Sequence, residues 1–262
     1  MKKSAILLII VVLCISTLSL GCSNSEVNLS KVQFIAHRGL SAEYYQNTLE
    51  AFEKAAESGF FAAIETDVWL TSDGVWVCTH DRDPFEDSSL LIDEIPFETA
   101  KKLPLARSKS RGVAMDKNIF ICSLEDYLQV CSDNSLIAVV EIKNNYSKED
   151  LADLIEQIHL KLSNDNFMFI TFFTNNILLI QELDNTIQTQ ALASKRKDIS
   201  SALKKNYNLG ASYKRLTKLN VKRAKKKNLI VNVWTVNDTK IAKKYINMGV
   251  DFITTDKILI FD

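Results

Sequence analysis

Short apolar runs alternate regularly with segments of helical period from Val32 to the C-terminus of this chain. Eight runs have the length and β-branched content of strands: Val32–Ala36, Ala63–Leu70, Leu136–Ile142, Phe167–Phe173, Ile187–Ala193, Gly210–Tyr213, Leu229–Val236 and Phe252–Thr254. Helix-period segments lie between them: Thr48–Ser58, Lys148–Leu162, Asn176–Leu183, Asp198–Lys205, Thr217–Lys227 and Asp238–Met248.

This alternation predicts an α/β protein whose eight strands close into a (β/α)8 TIM barrel. The stretch from Asp83 to Ile121 breaks the rhythm and is expected to form a hairpin and loop excursion after strand two. A doubly wound open sheet is the alternative. The absence of a Gly-rich phosphate loop after the first strand disfavours the open sheet.

Acidic residues follow a two-residue period on the second predicted strand. Glu65 and Asp67 project to one face, while Ile64 and Val68 occupy the other. Barrel enzymes place their reactive groups at the carboxyl ends of the strands, and Glu141 ends the next strand. Three carboxylates at one barrel mouth repel one another unless a proton or a cation lies between them. They predict a site for Mg²⁺ or Ca²⁺; a polar lining without metal is the alternative.

A hairpin brings His80 towards the same acidic residues. Asp73-Gly74 between apolar runs is a strong turn signal, and a two-residue loop there pairs Ser72 with Val75. That register places His80 opposite Asp67.

Two of the three histidines and two cations fall at predicted site positions. His37 and Arg38 follow the first strand, and Lys143 follows Glu141, whereas His159 lies within a predicted helix. Two imidazoles beside a metal suit general acid–base catalysis, and the cations suit a phosphodiester. A surface ion pair is the alternative for each basic residue.

A set of motifs in fixed order now identifies a resemblance. They are His37-Arg38-Gly39, Asn47-Thr48-Leu49-Glu50-Ala51-Phe52, Glu65-Thr66-Asp67-Val68, Thr71-Ser72-Asp73-Gly74, His80-Asp81, Glu141-Ile142-Lys143, Trp234-Thr235-Val236-Asn237, Gly249-Val250-Asp251 and Thr255-Asp256. Together they resemble the glycerophosphodiester phosphodiesterase family, in its bacterial lipoprotein form, over nearly the whole chain.

The resemblance implies a hydrolase that splits glycerophosphodiesters into sn-glycerol 3-phosphate and an alcohol with a divalent metal ion, Mg²⁺ or Ca²⁺. It implies metal ligation by Glu65, Asp67 and Glu141 and acid–base catalysis by His37 and His80. Substrate binding would fall to Arg38, Lys143 and Trp234. The expected partners are this small-molecule substrate and a membrane, and no nucleic acid.

The chain departs from the family pattern where Gln46 stands in place of a usual glutamate. The exchange keeps hydrogen bonding but removes a charge, which bears on metal affinity or on the support of His37. Two alternative functions remain open: a phospholipase-like enzyme acting on lysophospholipids, and a non-catalytic barrel that binds phosphodiesters.

The N-terminus carries an export pattern. Lys2 and Lys3 precede an apolar stretch that ends in Gly21-Cys22, which resembles a bacterial lipobox. We expect residues 1–21 to be a lipoprotein signal peptide, Cys22 to be lipidated, residues 22–31 to form a tether and residues 32–262 to form the catalytic barrel. The barrel would then lie on the outer face of the cell membrane. An uncleaved membrane helix is the alternative.

Three cysteines remain in the body of the chain, Cys78, Cys122 and Cys131. An odd number excludes a complete disulfide framework. A Cys122–Cys131 bridge and free buried thiols are both compatible with the pattern.

Overall fold

The structure is a computed structural model, and it describes residues 29–111, 113 and 118–261. The predicted signal peptide and the lipidation site Cys22 lie outside the described residues. Within the described part of the chain, no helix has both the length and the apolar character needed to span a bilayer.

Eight parallel strands close into a barrel, as the alternation predicted. They are β1 (Gln33–His37), β2 (Ala63–Leu70), β5 (Ile137–Ile142), β6 (Phe167–Thr171), β7 (Gln188–Ala193), β8 (Asn208–Ser212), β9 (Val231–Trp234) and β10 (Phe252–Thr255). Each pairs with the next in chain order, and β1 pairs with both β2 and β10. This closure excludes the open doubly wound sheet.

Helices cover the outside of the barrel. They are α1 (Leu49–Glu57), α3 (Leu124–Asp133), α4 (Lys148–His159), α5 (Thr174–Leu183), α6 (Arg196–Lys205), α7 (Lys218–Lys225) and α8 (Thr239–Ile246). Sequence reasoning missed α3, although Ser123 caps its first turn and Leu124, Tyr127, Leu128 and Cys131 form a buried stripe of helical period.

Alternate residues of each barrel strand point into the barrel or out towards the helices, which gives two apolar layers. Side chains such as Ile35, Val139 and Met168 fill the lower barrel interior, while the intervening residues pack against the helices in the main core. Residues of the interior parity become polar near the carboxyl ends, as with Glu65 and Glu141. The fold therefore gathers these polar groups at one mouth.

The predicted excursion is present and packs on a core of its own. It contains the short helix α2 (Phe97–Ala100) and single turns of 3₁₀ helix at Ile92–Glu94 and Arg107–Lys109. Its buried apolar residues include Phe85, Ile92 and Leu105. The excursion begins and ends on two short antiparallel strands, β3 (Trp76–Cys78) and β4 (Cys122–Ser123), which extend the sheet from β2.

The hairpin between β2 and β3 forms, but the predicted register was wrong by one residue. The amide of Thr71 donates to the carbonyl of Val75, so the loop has three residues, and Gly74 adopts a φ of 84°. Leu70 therefore pairs with Trp76 and Val68 with Cys78. The amide of Thr79, and not that of His80, donates to the carbonyl of Asp67.

All three cysteines of the described region are free and buried. Cys78 and Cys122 are direct partners in the β3–β4 ladder. Their thiols both donate to the Ser123 carbonyl, at 3.6 and 3.4 Å. Directly opposed antiparallel residues lie about 4.5–5.5 Å apart between Cα atoms, which is within the span of a disulfide.

We expect oxidation to join Cys78 to Cys122 rather than Cys122 to Cys131. The bridge would close a loop of about 45 residues and raise the free energy of unfolding by about 2–4 kcal/mol. Peptide mapping without reductant and a melting curve after treatment with diamide measure both effects. Cys131→Ala should retain the bridge and Cys78→Ser should lose it; a different pairing would contradict the register.

Candidate active site

Three buried carboxylates meet inside the barrel mouth. Glu65 and Asp67 lie on β2, and Glu141 lies opposite Asp67 on the neighbouring strand β5. Each residue offers an oxygen within 4.8 Å of the others. The predicted convergence of these acids is therefore present in the structure.

Two cations lie within this acidic cluster. Arg38 Nε lies 3.0 Å from Asp67 Oδ2, and its backbone amide donates to Glu65 Oε2 at 2.9 Å. Lys143 Nζ lies 3.0 Å from Asp67 Oδ1 and 2.9 Å from Glu141 Oε1. Two positive charges thus face three acidic groups, which leaves one negative charge uncompensated when all three acids are ionised.

The surroundings separate the pKa values of the three acids. Burial raises the pKa of Glu65 well above its usual range, and repulsion from Asp67 adds to the effect. The same two causes raise the pKa of Glu141 to about 7. Burial also acts to raise the pKa of Asp67, but the charges of Arg38 and Lys143 outweigh it and hold that pKa low. Without further positive charge, the cluster is difficult to ionise fully.

The residues of the cluster fit a divalent metal ion. Glu65 is almost fully buried, yet its Oε1 atom has no hydrogen-bond partner among the described residues. A buried carboxylate oxygen rarely stays unpaired. An all-oxygen donor set with an uncompensated charge is the environment that Mg²⁺ and Ca²⁺ prefer.

His37, at the end of β1, pairs with a residue that follows β10, the last strand of the barrel and a direct neighbour of β1. Its Nδ1 lies 2.6 Å from Asp256 Oδ1, just beyond the end of β10. Burial lowers the pKa of His37, although Asp256 acts to raise it, and this shift favours the neutral ring. A neutral ring that donates from Nδ1 keeps a lone pair on Nε2, where it can accept a proton.

His80 lies at the mouth and is partly exposed. Its Nδ1 is 2.8 Å from Asp81 Oδ1, and Lys109 of the excursion lies 3.3 Å from the same carboxylate. Although the predicted register was wrong, His80 lines the same cavity as His37. Each imidazole therefore has its own carboxylate partner.

The loop after β1 holds Arg38 through an unusual backbone. Arg38 and Gly39 both have positive φ, 60° and 77°. A side chain at Gly39 would approach the backbone of Ala51 on α1 to 2.5 Å, so only glycine fits there. Nearby, Asn47 Nδ2 donates to Asp67 Oδ2 at 2.9 Å, which fixes the carboxylate from below.

Gln46 contacts Arg38 and not His37. Its Oε1 accepts from Arg38 Nη1 at 2.6 Å, and its Nε2 donates to the carbonyl of Lys109. Gln46, which replaces the usual glutamate of the family pattern, therefore contacts the guanidinium that borders the acids. It also links that guanidinium to the excursion.

A cavity of about 280 Å³ occupies the mouth. One wall is charged and contains most of the predicted site residues: His37, Arg38, Glu65, His80, Glu141 and Lys143. Asp67 lies buried beside that wall. Trp234 lines the opposite wall, so the structure brings all the predicted site residues of the barrel together; their roles stay predictions.

Sequence reasoning missed three groups at this mouth. Asp256 accepts from His37, Ser41 and Asn237, and its place after the last strand was a usable signal. Arg111 of the excursion lies 3.1 Å from Asp256 and lines the cavity, and Phe172 lies on the apolar wall. Neither Arg111 nor Phe172 belongs to a motif.

Comparison with known proteins agrees with this geometry. The profile of the glycerophosphoryl diester phosphodiesterase family matches residues 37–260. The chain belongs to this family. A glycerophosphodiester phosphodiesterase of Bacillus altitudinis is 26% identical over 234 residues, which are 86% of this chain and 94% of the relative. Glycerophosphodiester phosphodiesterase 1 of Rattus norvegicus is 29% identical over 164 residues, 61% of this chain but only 48% of the relative.

The family fold is also present among solved structures. A phosphodiesterase of Oleispira antarctica, solved in complex with the product sn-glycerol-3-phosphate, superposes with a TM-score of 0.74 at 24% identity. The match covers 86% of this chain and 92% of that one. At this identity the likeness establishes the barrel fold.

Proposed function

We propose that this barrel is a metal-dependent glycerophosphodiester phosphodiesterase that releases sn-glycerol 3-phosphate and an alcohol. The observation that carries the proposal is the meeting of three acids, two imidazoles and two cations in one cavity. Family membership and the activity named for the Bacillus altitudinis relative support the substrate class.

Glu65, Asp67 and Glu141 would hold the divalent ion, which when bound supplies Lewis acidity towards a phosphate oxygen. Arg38 and Lys143 border these acids and offer N–H donors to the remaining phosphate oxygens. Donors fixed in a largely buried site stabilise charge that develops in the transition state.

The two imidazoles divide the proton transfers. His37, neutral and held by Asp256 through Nδ1, accepts the proton of the attacking oxygen at Nε2. His80, held by Asp81 at the open side of the cavity, returns a proton to the departing alkoxide. The attacking oxygen is that of water or of the substrate's neighbouring hydroxyl, and ³¹P spectra distinguish the routes by a cyclic phosphate.

The test is the release of glycerol 3-phosphate from glycerophosphocholine by the soluble body of the protein. We expect turnover with added Mg²⁺ or Ca²⁺, its loss in EDTA and its return when the ion is restored. Divalent-ion binding without turnover over a broad panel of diesters would favour the alternative of a non-catalytic binding barrel.

Asp256→Asn tests whether Asp256 orients His37 and raises its pKa. The change removes the charge that raises the His37 pKa and weakens the hydrogen bond, because an amide oxygen is a poorer acceptor than a carboxylate. The pKa of His37 therefore falls further, and the acid limb of kcat/KM moves to lower pH. Misorientation of the ring should lower kcat by about 10²- to 10⁴-fold. The exposed Asp165→Asn is the control; an unshifted acid limb in Asp256→Asn would contradict the role of His37 as base.

We also propose that the protein is an exported lipoprotein of the outer face of the membrane, anchored through Cys22. The lipobox-like end of the apolar N-terminal stretch supports this. Cys22→Ala should abolish labelling by a palmitate analogue and signal cleavage at this site, with Cys14→Ala as control. Equal labelling of both variants contradicts the anchor.

A further inference from the structure

The cavity at the barrel mouth has a second wall of different chemistry. Ile170, Phe172, Leu192 and Trp234 form it, opposite the charged residues. The rings of Phe172 and Trp234 meet edge to face, with centroids 6.0 Å apart and an angle of 86°. Phe172 is 45% exposed. Neither ionic groups nor hydroxyls gain from this wall, so it must face an apolar part of a substrate.

A groove of about 220 Å³ adjoins the cavity behind this wall. Phe172 and Leu192 line both spaces, which makes them the boundary between the two. Further along, the groove is lined by Ala191, Ala202 and the ring of Tyr207, with the hydroxyl residues Thr174 and Ser201 beside them. The apolar surface thus continues from the mouth along one side of α6.

Charge in the groove does not favour a phosphate. Of the described residues that line it, Asp198 alone is charged. That carboxylate is already used locally, because its Oδ2 accepts from the amide of Lys195 at the start of α6. The groove is therefore suited to carbon rather than to an anion.

The parts of a glycerophosphodiester can be assigned to these surfaces by their chemistry. The phosphate belongs with Arg38 and Lys143. The glycerol hydroxyls need hydrogen bonds, which the polar side chains of Asn232 and Thr254 offer at the cavity floor. The esterified alcohol then leaves past Phe172.

We propose that the groove behind Phe172 binds a hydrocarbon chain on the alcohol, so that the preferred substrates are glycerophosphodiesters of long-chain alcohols. The inference rests on the proposed function and names its substrate class. It differs from a lysophospholipid activity, in which the chain is carried by the glycerol.

The experiment is a homologous series of glycerophospho-alkanols, from ethanol to decanol, with Mg²⁺ and below micelle-forming concentrations. A fully buried methylene contributes up to about fourfold in affinity, and a partly open groove about twofold. We expect kcat/KM to rise by about twofold per methylene and to level off once the chain is longer than the groove.

Matched variants on the exposed face of α6 localise the effect. Ser201 lines the groove, and the neighbouring Ser200 does not; both are exposed, so a bulky side chain is tolerated at either position. Ser201→Trp should lower the ratio of the decanol rate to the ethanol rate at least about tenfold. Ser200→Trp should leave that ratio unchanged.

The outcomes separate the inference from the function on which it rests. Hydrolysis of the ethanol ester with no dependence on chain length, or an equal ratio in the two tryptophan variants, overturns the groove and leaves the phosphodiesterase intact. A preference for the choline ester, or for lysophosphatidylcholine, also overturns it. Hydrolysis of no member of the series contradicts the proposed function itself.

Discussion

Replacing Glu65 by glutamine is expected to abolish divalent-ion binding and to lower turnover by at least about 10³-fold. The exchange keeps the size of the side chain but removes the carboxylate whose Oε1 has no partner within the described structure. It also leaves Asp67 and Glu141 balanced by Arg38 and Lys143, so little net charge remains to attract an ion. Calorimetric titration with Mg²⁺ and Ca²⁺ measures the first effect, and release of glycerol 3-phosphate the second.

The same variant should become more stable in the absence of metal. Because the pKa of Glu65 is raised in the folded state, the folded protein holds protons that the unfolded chain releases, and stability falls as pH rises above about 4.5. Glutamine removes that loss, so metal-free Glu65→Gln should melt at a higher temperature than the parent at about pH 8. The exposed Glu53→Gln is the control; a destabilised Glu65→Gln that still binds metal would refute both expectations.

Replacing His37 by asparagine is the second change with a large expected effect, a fall in kcat of about 10²- to 10⁴-fold. The amide can still donate to Asp256, but it has no lone pair that accepts a proton at neutral pH. Metal binding should be retained, because the acidic cluster does not include His37. The paired loss of turnover and retention of binding distinguishes a proton acceptor from a ligand.

His159→Asn is the matched control for this change. His159 lies at the end of α4, where it contacts Asn164 far from the mouth. Its replacement should leave kcat within about twofold. Full turnover in His37→Asn would contradict the role of His37 as base, and His80→Asn in the same assay tests whether His80 has that role instead.

The barrel and the acidic cluster were predictable because both follow from local periodicity. Glu65 and Asp67 share a strand face by parity, and a closed barrel brings Glu141 beside them without knowledge of any loop. The predictable part of the site is therefore the part that lies on strands.

The parts that escaped prediction depend on loops. The hairpin loop has three residues where two were predicted, and Gly74 adopts the positive φ that this longer loop needs. The longer loop shifts the pairing of the strand that leads to His80 by one residue. Arg111 reaches Asp256 from the excursion, where no periodicity fixes its position. Gln46 was noticed, but its partner Arg38 was not, because both lie in tight turns around β1 and α1.

The pairing of His37 with Asp256 has a consequence for folding. The two residues are 219 positions apart and lie on either side of the junction between the first and last strands. The acids of β2 and β5 come together within residues 63–142, whereas the imidazole gains its partner only when the ring of strands is complete. Turnover should thus return during refolding only once β1 and β10 have paired, a closure that is entropically costly because it spans almost the whole body of the chain.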